Sequence, residues 1–348
     1  MPRLVLAGLS SEVKMGQQVY EEAIAERAQR ALGDSWRVSR TNVRTLRSPL
    51  AGTARVPATI LSAGRPKIRK AFGRGLYGRN DLVHRFDLRL PPAPKEVVMI
   101  HDVVSWRFPD EAVPPNSAIA EARAARAVVC PSQFSADEVS EVLGVSDPIA
   151  IPNGVGPEAF DAVPFSEAEL AQLGLRPPFV LHTGGCTLRK NLGALAAAWP
   201  VVRQAAPDAH LALVGPPDTR RTELFEGVAG AVLLGRLEDD VLHRLRATAA
   251  CVVVPSLYEG FGLPALEGMA AGVPVVAARR SSLPEVCRDA ATLVEPTADG
   301  LAEGILQALN RDATVEDLVA RGRVVARDYT WERSAAAHAD VWRSVVGS

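Results

Sequence analysis

The sequence predicts an α/β protein built from two doubly wound, parallel-sheet domains. Short apolar runs recur along the whole chain, and many are apolar at consecutive positions, as in strands buried on both faces. Stretches with helical spacing lie between them, and this alternation is typical of parallel sheets covered by helices. There are eleven runs, too many for one ordinary sheet, so we expect two domains.

The strands and helices follow from these runs in chain order. The first half has runs at 3–8, 82–86, 96–102, 126–132 and 148–154. The second half has runs at 179–184, 210–215, 231–235, 250–256, 273–278 and 291–296. Helical spacing predicts helices over 16–32, 191–205, 237–250 and 330–346.

The domain boundary is predicted at 152–178, which is rich in Pro and Gly and has no strand pattern. We therefore expect an N-terminal domain over 1–157 and a C-terminal domain over 158–329. A terminal helix in 330–348 should pack back toward the N-terminal domain. Two facing domains of this class leave a cleft at the carboxyl ends of their strands, where ligands bind.

Composition excludes several classes of protein. The 348 residues are 47% hydrophobic with a formal charge of −1, which argues against disorder and general nucleic-acid binding. The four cysteines form no C-x-x-C pair, which argues against a zinc site or disulfide framework and fits a reducing cytosol. The N-terminal apolar stretch is too short for a signal peptide, and no run approaches the length that crosses a bilayer. The sequence thus predicts a cytoplasmic globular protein.

The charged residues are not spread evenly along this nearly neutral chain. From 35 to 80 the chain has 11 Arg or Lys residues and no Asp or Glu. Its densest part interleaves Ile68, Phe72, Leu76 and Tyr77 at roughly helical spacing. Charge runs are usually solvated faces. The alternative is a surface for an anionic partner, either phospholipid headgroups or a phosphate-bearing acceptor, and the residues leave both interpretations open.

The stretch LYEGFGLPALE, 257–267, contains the G-x-G-x-x-A outline of a dinucleotide-binding fingerprint. The next predicted strand ends in Arg279 and Arg280, which would suit the 2′-phosphate of NADP. However, the helix expected from Pro264 is interrupted by Gly268, and the loop follows the fourth strand of its half instead of the first. An NADP-dependent oxidoreductase is therefore the weaker interpretation.

The same residues favour a diphosphate site. Pro264 suits the first helical position, so we expect the helix to begin there and 260–263 to form the turn before it. The glycines let the backbone approach a ligand, and the helix start adds the positive end of its dipole. Glu267 is expected to accept two vicinal hydroxyls of a ribose, and Glu259 the hydroxyls of a second polar group. The ligand indicated has a ribose, a diphosphate and a sugar.

The E-x7-E pattern EGFGLPALE, followed by GMAAGVPVVAA and SLPEV, resembles the retaining glycosyltransferases of the GT-B fold and family-4 type. HTGGCTLRKNLGALAAAW (182–199) resembles the family's strand–loop–helix with its R-K-N motif. IPNGV (151–155), IHDVVSWRFPD (100–110) and LLGRLEDDVLHRL (233–245) resemble its interdomain segment, its H-D motif and the border of its base site. The match covers the second half almost continuously and the first half in patches.

The resemblance implies two Rossmann-like domains and a hexosyltransferase that needs no metal or other cofactor. The donor would be a nucleoside-diphosphate sugar (UDP- or GDP-linked), and the acceptor a hydroxyl of a glycan, glycolipid or lipid-linked precursor. The residues implied as catalytic are His101, Glu259 and Lys190. Those implied in donor binding are Gly16, Gly184, Arg189, Lys190, Leu237, Glu259, Gly260, Phe261, Gly262, Leu263 and Glu267.

The resemblance also implies individual roles. Lys190 and Arg189 would stabilise the leaving diphosphate, where negative charge grows. Glu259 would hold the donor sugar, which His101 would face across the cleft, and Gly16 would let the acceptor-side loop approach the diphosphate. Asn191 is an expected cap of the helix after the R-K-N motif.

Two other functions stay open beside this one. The first is the NADP-dependent oxidoreductase, and the second is a sugar-nucleotide-binding scaffold without turnover. A glycosidase pair formed by the two glutamates is disfavoured, because a hydrolase needs no phosphate-binding R-K-N motif. The basic 35–80 region adds the hypothesis of peripheral contact with the inner membrane face.

Overall fold

The computed structural model describes residues 1–11, 16–78 and 81–347. The chain divides into two compact units. The first unit comprises 1–154 together with 331–348, and the second comprises 155–330.

The first unit is built on a seven-stranded parallel sheet with the order β3-β2-β1-β4-β5-β6-β7. Its strands are β1 Arg3–Leu9, β2 Arg37–Thr45, β3 Ala54–Val56, β4 Leu82–Arg85, β5 Glu96–Met99, β6 Ala127–Cys130 and β7 Ile149–Ala150. Its helices are α1 Gly16–Leu32, α2 Ala58–Ser62, α3 Pro66–Tyr77, α4 Val104–Arg107, α5 Ala118–Ala124, α6 Gln133–Leu143 and α16 Trp331–Gly347.

The second unit is built on a six-stranded parallel sheet with the order β10-β9-β8-β11-β12-β13. Its strands are β8 Phe179–Thr183, β9 His210–Val214, β10 Ala231–Gly235, β11 Cys251–Val254, β12 Val275–Ala278 and β13 Thr292–Val294. Its helices are α7 Glu158–Asp161, α8 Glu167–Gln172, α9 Leu192–Ala205, α10 Thr219–Phe225, α11 Asp239–Thr248, α12 Leu263–Ala271, α13 Leu283–Cys287, α14 Ala298–Asn310 and α15 Ala313–Asp328, with a 3₁₀ turn at Leu188–Lys190.

The predicted fold class is confirmed, and each of the eleven runs contains a strand. Every residue of β11 and β12 is buried, as consecutive apolar positions in a parallel sheet require. Every residue of β4, β5 and β8 is buried as well, including the polar residues His84, Arg85, Glu96 and His182. The sequence analysis missed β2 and β3. The reason is that β2 reads RVSRTNVRT, with polar residues at most positions and only Val43 fully buried, beside the three-residue edge strand β3.

The last helix, α16, belongs to the first unit. It buries Trp331, Ala335 and Trp342, and its Arg343 side chain donates to the Ala31 carbonyl at the end of α1. Among the described residues, no helix has both the length and the apolar character needed to cross a membrane.

The basic region does not form one solvated face. Arg69 is completely buried, because its guanidinium pairs with Glu121 at 2.8 Å and donates to main-chain carbonyls between α3 and β5. Ile68 and Phe72 are instead exposed, on the part of α3 that the fold does not cover. One of the two open interpretations, a solvated basic face, therefore does not hold at Arg69, and Arg79 lies outside the described residues.

Sheet order determines which loops meet in each unit. In the second sheet, β8 lies between β9 and β11, so the chain leaves neighbouring strands β8 and β11 at the same edge. The order of strands reverses at this point, where ligands of doubly wound sheets bind. The loop after β8 carries the R-K-N motif, and the loop after β11 carries EGFG.

Candidate active site

The glycine turn after β11 leads into α12. This helix begins at Leu263, one residue before the predicted Pro264, and runs through Gly268 without a break to Ala271. The predicted interruption at Gly268 is wrong, because the absence of a side chain there lets α12 pack closely against β11 and β12. Gly262 precedes the helix with φ of 103°, a backbone conformation that favours glycine.

Two serines of the 281–282 segment fix the shape of this turn. Ser281 Oγ accepts from the Glu259 amide at 2.9 Å. Ser282 Oγ lies within hydrogen-bond distance of two carbonyls of the turn, those of Glu259 and Phe261, at 2.9 and 2.8 Å. The sequence analysis assigned neither serine a role, although SLPEV was part of the matching pattern.

The turn also carries amide groups that take no part in these hydrogen bonds. In the described ranges, the N–H groups of Phe261, Gly262 and Leu263 have no hydrogen-bond partner. Together with the positive end of the α12 dipole, they form a cluster of donors suited to phosphate oxygens.

Lys190 and Glu259 form the centre of the site. Lys190 ends the 3₁₀ turn after β8, and its Nζ lies 2.6 Å from Glu259 Oε1. Arg189 Nη1 lies 3.3 Å from Glu259 Oε2, and Ser256 Oγ donates to Oε1 at 2.7 Å. Three of the predicted site residues, Arg189, Lys190 and Glu259, therefore come together.

The charges of this cluster keep Glu259 ionised. Burial alone raises the pKa of the Glu259 carboxyl, but the Lys190 ammonium and the Arg189 guanidinium outweigh burial and lower it to about 2. The side chains of Lys190 and Glu259 are both nearly buried, so their attraction is only weakly screened. The result is a fixed carboxylate beside two fixed cations at neutral pH.

Asn191 does not cap the following helix through its side chain, so that prediction is wrong. Its φ is 55°, and its side chain makes no capping hydrogen bond to the first turn of α9. The side-chain amide instead donates to the Pro255 and Pro296 carbonyls at 3.0 and 2.9 Å. Asn191 thus ties the loop after β8 to the end of β11.

Gly184 is half-buried at the end of β8 and lies beside Lys190. A Cβ atom added to Gly184 would lie 3.7 Å from Lys190 Cε. The Gly184 carbonyl accepts from Arg221, and the Cys186 carbonyl accepts from Arg220 at 3.0 Å. These two α10 arginines were not predicted, because no local pattern relates α10 to the β8 loop.

Glu267 lies on α12, one helical turn after Leu263, and its carboxylate forms an ion pair separate from that of Glu259. Its Oε2 lies 2.6 Å from Arg246 Nη2, and its side chain is 20% exposed. Leu237 is half-buried and packs against the core of the second unit. The sequence analysis missed Arg246, which lies one residue beyond the stretch 233–245.

His101 and Gly16 lie in the first unit. His101 follows β5, and its ring is edge-on to Tyr20 with centroids 4.9 Å apart. Burial lowers the pKa of His101 to about 4, so its ring is neutral at pH 7. Gly16 is exposed at the start of α1, directly after 12–15, which lie outside the described residues.

In the described part of the chain, no group of three or more His, Cys, Asp or Glu side chains is arranged to hold a metal ion.

The two loops of the site lie in a part of the chain that is similar to known proteins. Residues 177–311, which include both loops of the site, match the family described as glycosyl transferases group 1. The matched residues make up most of the second unit. Its motifs after β8 and β11 lie within the matched residues.

Two curated proteins are similar to parts of the chain. O-antigen chain mannosyltransferase B of Escherichia coli is 46% identical over 100 residues, which is 28% of this chain and 26% of that protein. A phosphatidyl-myo-inositol mannosyltransferase of Mycobacterium tuberculosis is 33% identical over 219 residues, 60% of this chain and 57% of that protein. The aligned part of this chain thus spans about a quarter and somewhat over half of these two relatives.

The likeness to known proteins extends, at the level of the fold, beyond the matched residues. Sucrose-phosphate synthase from Thermosynechococcus elongatus superimposes with a TM-score of 0.75 at 24% identity, covering 100% of both chains. With the two parallel sheets and the group 1 domain, this likeness confirms the resemblance to GT-B glycosyltransferases of the family-4 type.

Proposed function

We propose that this chain is a retaining, metal-independent glycosyltransferase that moves a sugar from a nucleoside-diphosphate sugar to a hydroxyl acceptor. The observation that carries the proposal is the Lys190–Glu259 ion pair beside the glycine turn. In the proposal, the cation of this pair binds a phosphate of the donor and the carboxylate binds the donor sugar. The two relatives named mannosyltransferases make mannosyl donors the first to test.

In the proposed reaction, the bond between the sugar's anomeric carbon and the outer phosphate oxygen breaks, and its electron pair goes to that oxygen. The acceptor oxygen bonds to the same face of the sugar, and its proton goes to the leaving phosphate. Lys190 and Arg189 stabilise the growing negative charge, and the amides of 261–263 donate to phosphate oxygens. These donors are in position before the reaction, so little reorganisation is needed.

The two glutamates bind different parts of the donor in this proposal. Glu259 is ionised at neutral pH and accepts hydrogen bonds from hydroxyls of the transferred sugar. Glu267 accepts from the ribose. The roles predicted for His101 and Gly16, and a cytoplasmic location, stay predictions.

The experiment measures release of nucleoside diphosphate from UDP-, GDP-, ADP- and dTDP-sugars. A thermal-shift panel with the same donors selects the cognate one, which should raise the melting temperature by mass action. We expect Lys190→Met to lower the rate about 100- to 1000-fold, because it removes a cation from the developing charge. The matched control is Arg321→Met, which removes an ion-paired cation of α15 and should leave turnover unchanged.

The other functions give different results in this experiment. A donor that shifts the melting temperature without release of nucleoside diphosphate would identify a binding scaffold. A shift with NADP and none with any sugar nucleotide would identify the oxidoreductase. Equal turnover of wild type and Lys190→Met would refute the role given to Lys190.

We also propose that α3 contacts an anionic membrane surface, which would bring a lipid-linked acceptor to the enzyme. Ile68 and Phe72 are 46% and 38% exposed, one helical turn apart, and Lys67, Lys70 and Arg74 are exposed on the same helix. Such a face combines apolar residues that enter the headgroup region with cations that attract anionic lipids.

The opposite side of α3 is fixed to the first unit. Arg69 pairs with Glu121, and Gly73 lies so close to the Pro92 carbonyl that no side chain would fit there. The exposed face of α3 is therefore held in one orientation, which supports a docking role for it.

A further inference from the structure

Arg246 is the only hydrogen-bond or ion-pair partner of the Glu267 carboxylate among the described residues. Arg246 lies on α11, is 1% exposed, and reaches Glu267 Oε2 through Nη2 at 2.6 Å. It belongs to none of the sequence patterns that predicted the site. A buried arginine beside a predicted ligand-binding carboxylate needs an explanation, because desolvating a guanidinium is costly unless it is paired.

The other terminal nitrogen of the Arg246 guanidinium also has a hydrogen-bond partner. Arg246 Nη1 lies 3.2 Å from His243 Nδ1 on the same helix. Arginine can only donate, so Nδ1 accepts and the His243 proton resides on Nε2. Burial, followed by the charge of Arg246, lowers the pKa of His243, which is consistent with this neutral ring. Both terminal nitrogens of the planar Arg246 guanidinium, Nη1 and Nη2, are therefore hydrogen-bonded.

This arrangement fixes one oxygen of Glu267 and leaves the other for a ligand. Oε2 accepts from Arg246, whereas Oε1 has no hydrogen-bond partner in the described part of the chain. The side chain is 20% exposed, so a ligand has access to it. The backbone of α12 is fixed at the same place, because Gly268 packs against Val252 and Val275.

We propose that Arg246, oriented by His243, is a positioning residue that aims Glu267 at the ribose hydroxyls. It thereby makes nucleotide binding selective for ribose over 2′-deoxyribose. The inference rests on the proposed function, since it concerns the ribose of the same donor. Arg246 does not touch the nucleotide; it acts by holding the carboxylate that does.

The same helix provides a matched control. Arg244 also pairs with a glutamate through Nη2, at 2.8 Å from Glu169 Oε1, and its guanidinium stacks on Phe165. Glu169 belongs to α8 and to none of the site loops. Arg244→Met therefore removes an arginine–glutamate pair from α11 without affecting Glu267.

The test measures dissociation constants by titration calorimetry for UDP, GDP and ADP and for their 2′-deoxy counterparts. For the base that binds, we expect wild type and Arg244→Met to prefer the ribonucleotide about tenfold or more, as one hydrogen bond to a charged group provides. We expect Arg246→Met and Glu267→Ala to lose this preference. Arg246→Lys should retain part of it, because the charge remains but the fork is lost.

The outcomes separate this inference from the proposed function. If wild type binds none of the three ribonucleotides, the proposed function fails and the inference falls with it. If wild type prefers ribose and a folded Arg246→Met keeps the same preference, Glu267 needs no positioning and the inference alone is wrong. If Arg246→Met does not fold, Arg246→Lys decides, and an unchanged preference in that variant would also overturn the inference.

Discussion

Lys190 Nζ lies 2.6 Å from Glu259 Oε1, although the two residues are 69 positions apart in the sequence. The contact joins the ends of the neighbouring strands β8 and β11 and places opposite charges where the second sheet reverses its strand order. A pair with this little exposure should affect the stability of the fold as well as the proposed ligand binding.

The first prediction concerns this buried pair. Lys190→Met should lower the free energy of unfolding by about 3 kcal/mol, because it leaves Glu259 charged and without its closest partner. The double variant Lys190→Met/Glu259→Gln should lose less than the sum of the single losses, with a coupling of about 1–3 kcal/mol. Urea unfolding of the four proteins in the cycle measures this coupling.

The exposed pair Arg280–Glu295 serves as the control cycle. Its side chains are 48% and 55% exposed, so solvent screens the attraction and the coupling should stay below about 1 kcal/mol. Equal coupling in the two cycles would contradict the view that burial strengthens the Lys190–Glu259 pair.

The second prediction concerns the glycine turn. Gly262→Ala should destabilise the protein by about 1–3 kcal/mol, because its φ of 103° is strained for alanine and the new Cβ would lie 2.7 Å from Leu283 Cδ2. The control is Gly185→Ala, whose Cβ meets no atom within 4 Å and should change stability by less than about 0.5 kcal/mol. Thermal unfolding compares the two, and equal stability would refute the steric argument.

The third prediction is a loss of stability in acid that depends on His338. Its Nδ1 lies 2.7 Å from the Ser334 carbonyl and its Nε2 2.7 Å from Tyr20 Oη, so a neutral ring can donate from Nδ1 and accept from the Tyr20 hydroxyl. Burial lowers the pKa of His338 to about 4, below its ordinary value. The contribution to stability is thus full above about pH 6.5 and is lost as the pH falls toward 4, by up to about 1.4 kcal/mol per pH unit.

Comparison with His338→Gln isolates this contribution. Glu21 acts in the opposite direction, because burial raises its pKa to about 7 and its stabilising effect declines as the pH rises. The relevant quantity is therefore the difference between wild type and variant in urea unfolding at about pH 7 and about pH 5. The prediction fails if the two proteins lose the same stability on acidification.

The fourth prediction concerns α3. Wild-type protein should sediment with vesicles containing phosphatidylglycerol at low salt, and less so at high salt, because ions screen the attraction. Ile68→Ser/Phe72→Ser should weaken this binding about tenfold or more, since two apolar side chains no longer enter the lipid.

Val113→Ser is the control for the vesicle experiment. Val113 is 78% exposed in the first unit but lies outside the basic region, so its replacement should not change vesicle binding. If wild type does not sediment with the anionic vesicles at low salt, α3 is not a membrane-docking face.

Much of the secondary structure was predictable because it depends on local patterns. The helix over 16–32 was predicted with the bounds of α1, and all eleven apolar runs contain strands. β2 and β3 were missed, because a polar sequence near a sheet edge lacks the apolar run that marks a buried strand. The sequence left the basic run open between a solvated face and a surface for an anionic partner. Neither interpretation predicted the burial of Arg69, which pairs with Glu121, 52 residues away.

The sequence by itself determined the fold class, the family resemblance and the identity of the charged residues after β8 and β11. Only the tertiary structure decided which charges pair: Lys190 and Arg189 with Glu259, and Arg246 with Glu267. The physical reason is the separation in sequence between the residues that determine each feature. Strand and helix patterns arise from neighbours along the chain, whereas an ion pair forms between residues that the order of strands in the sheet brings together.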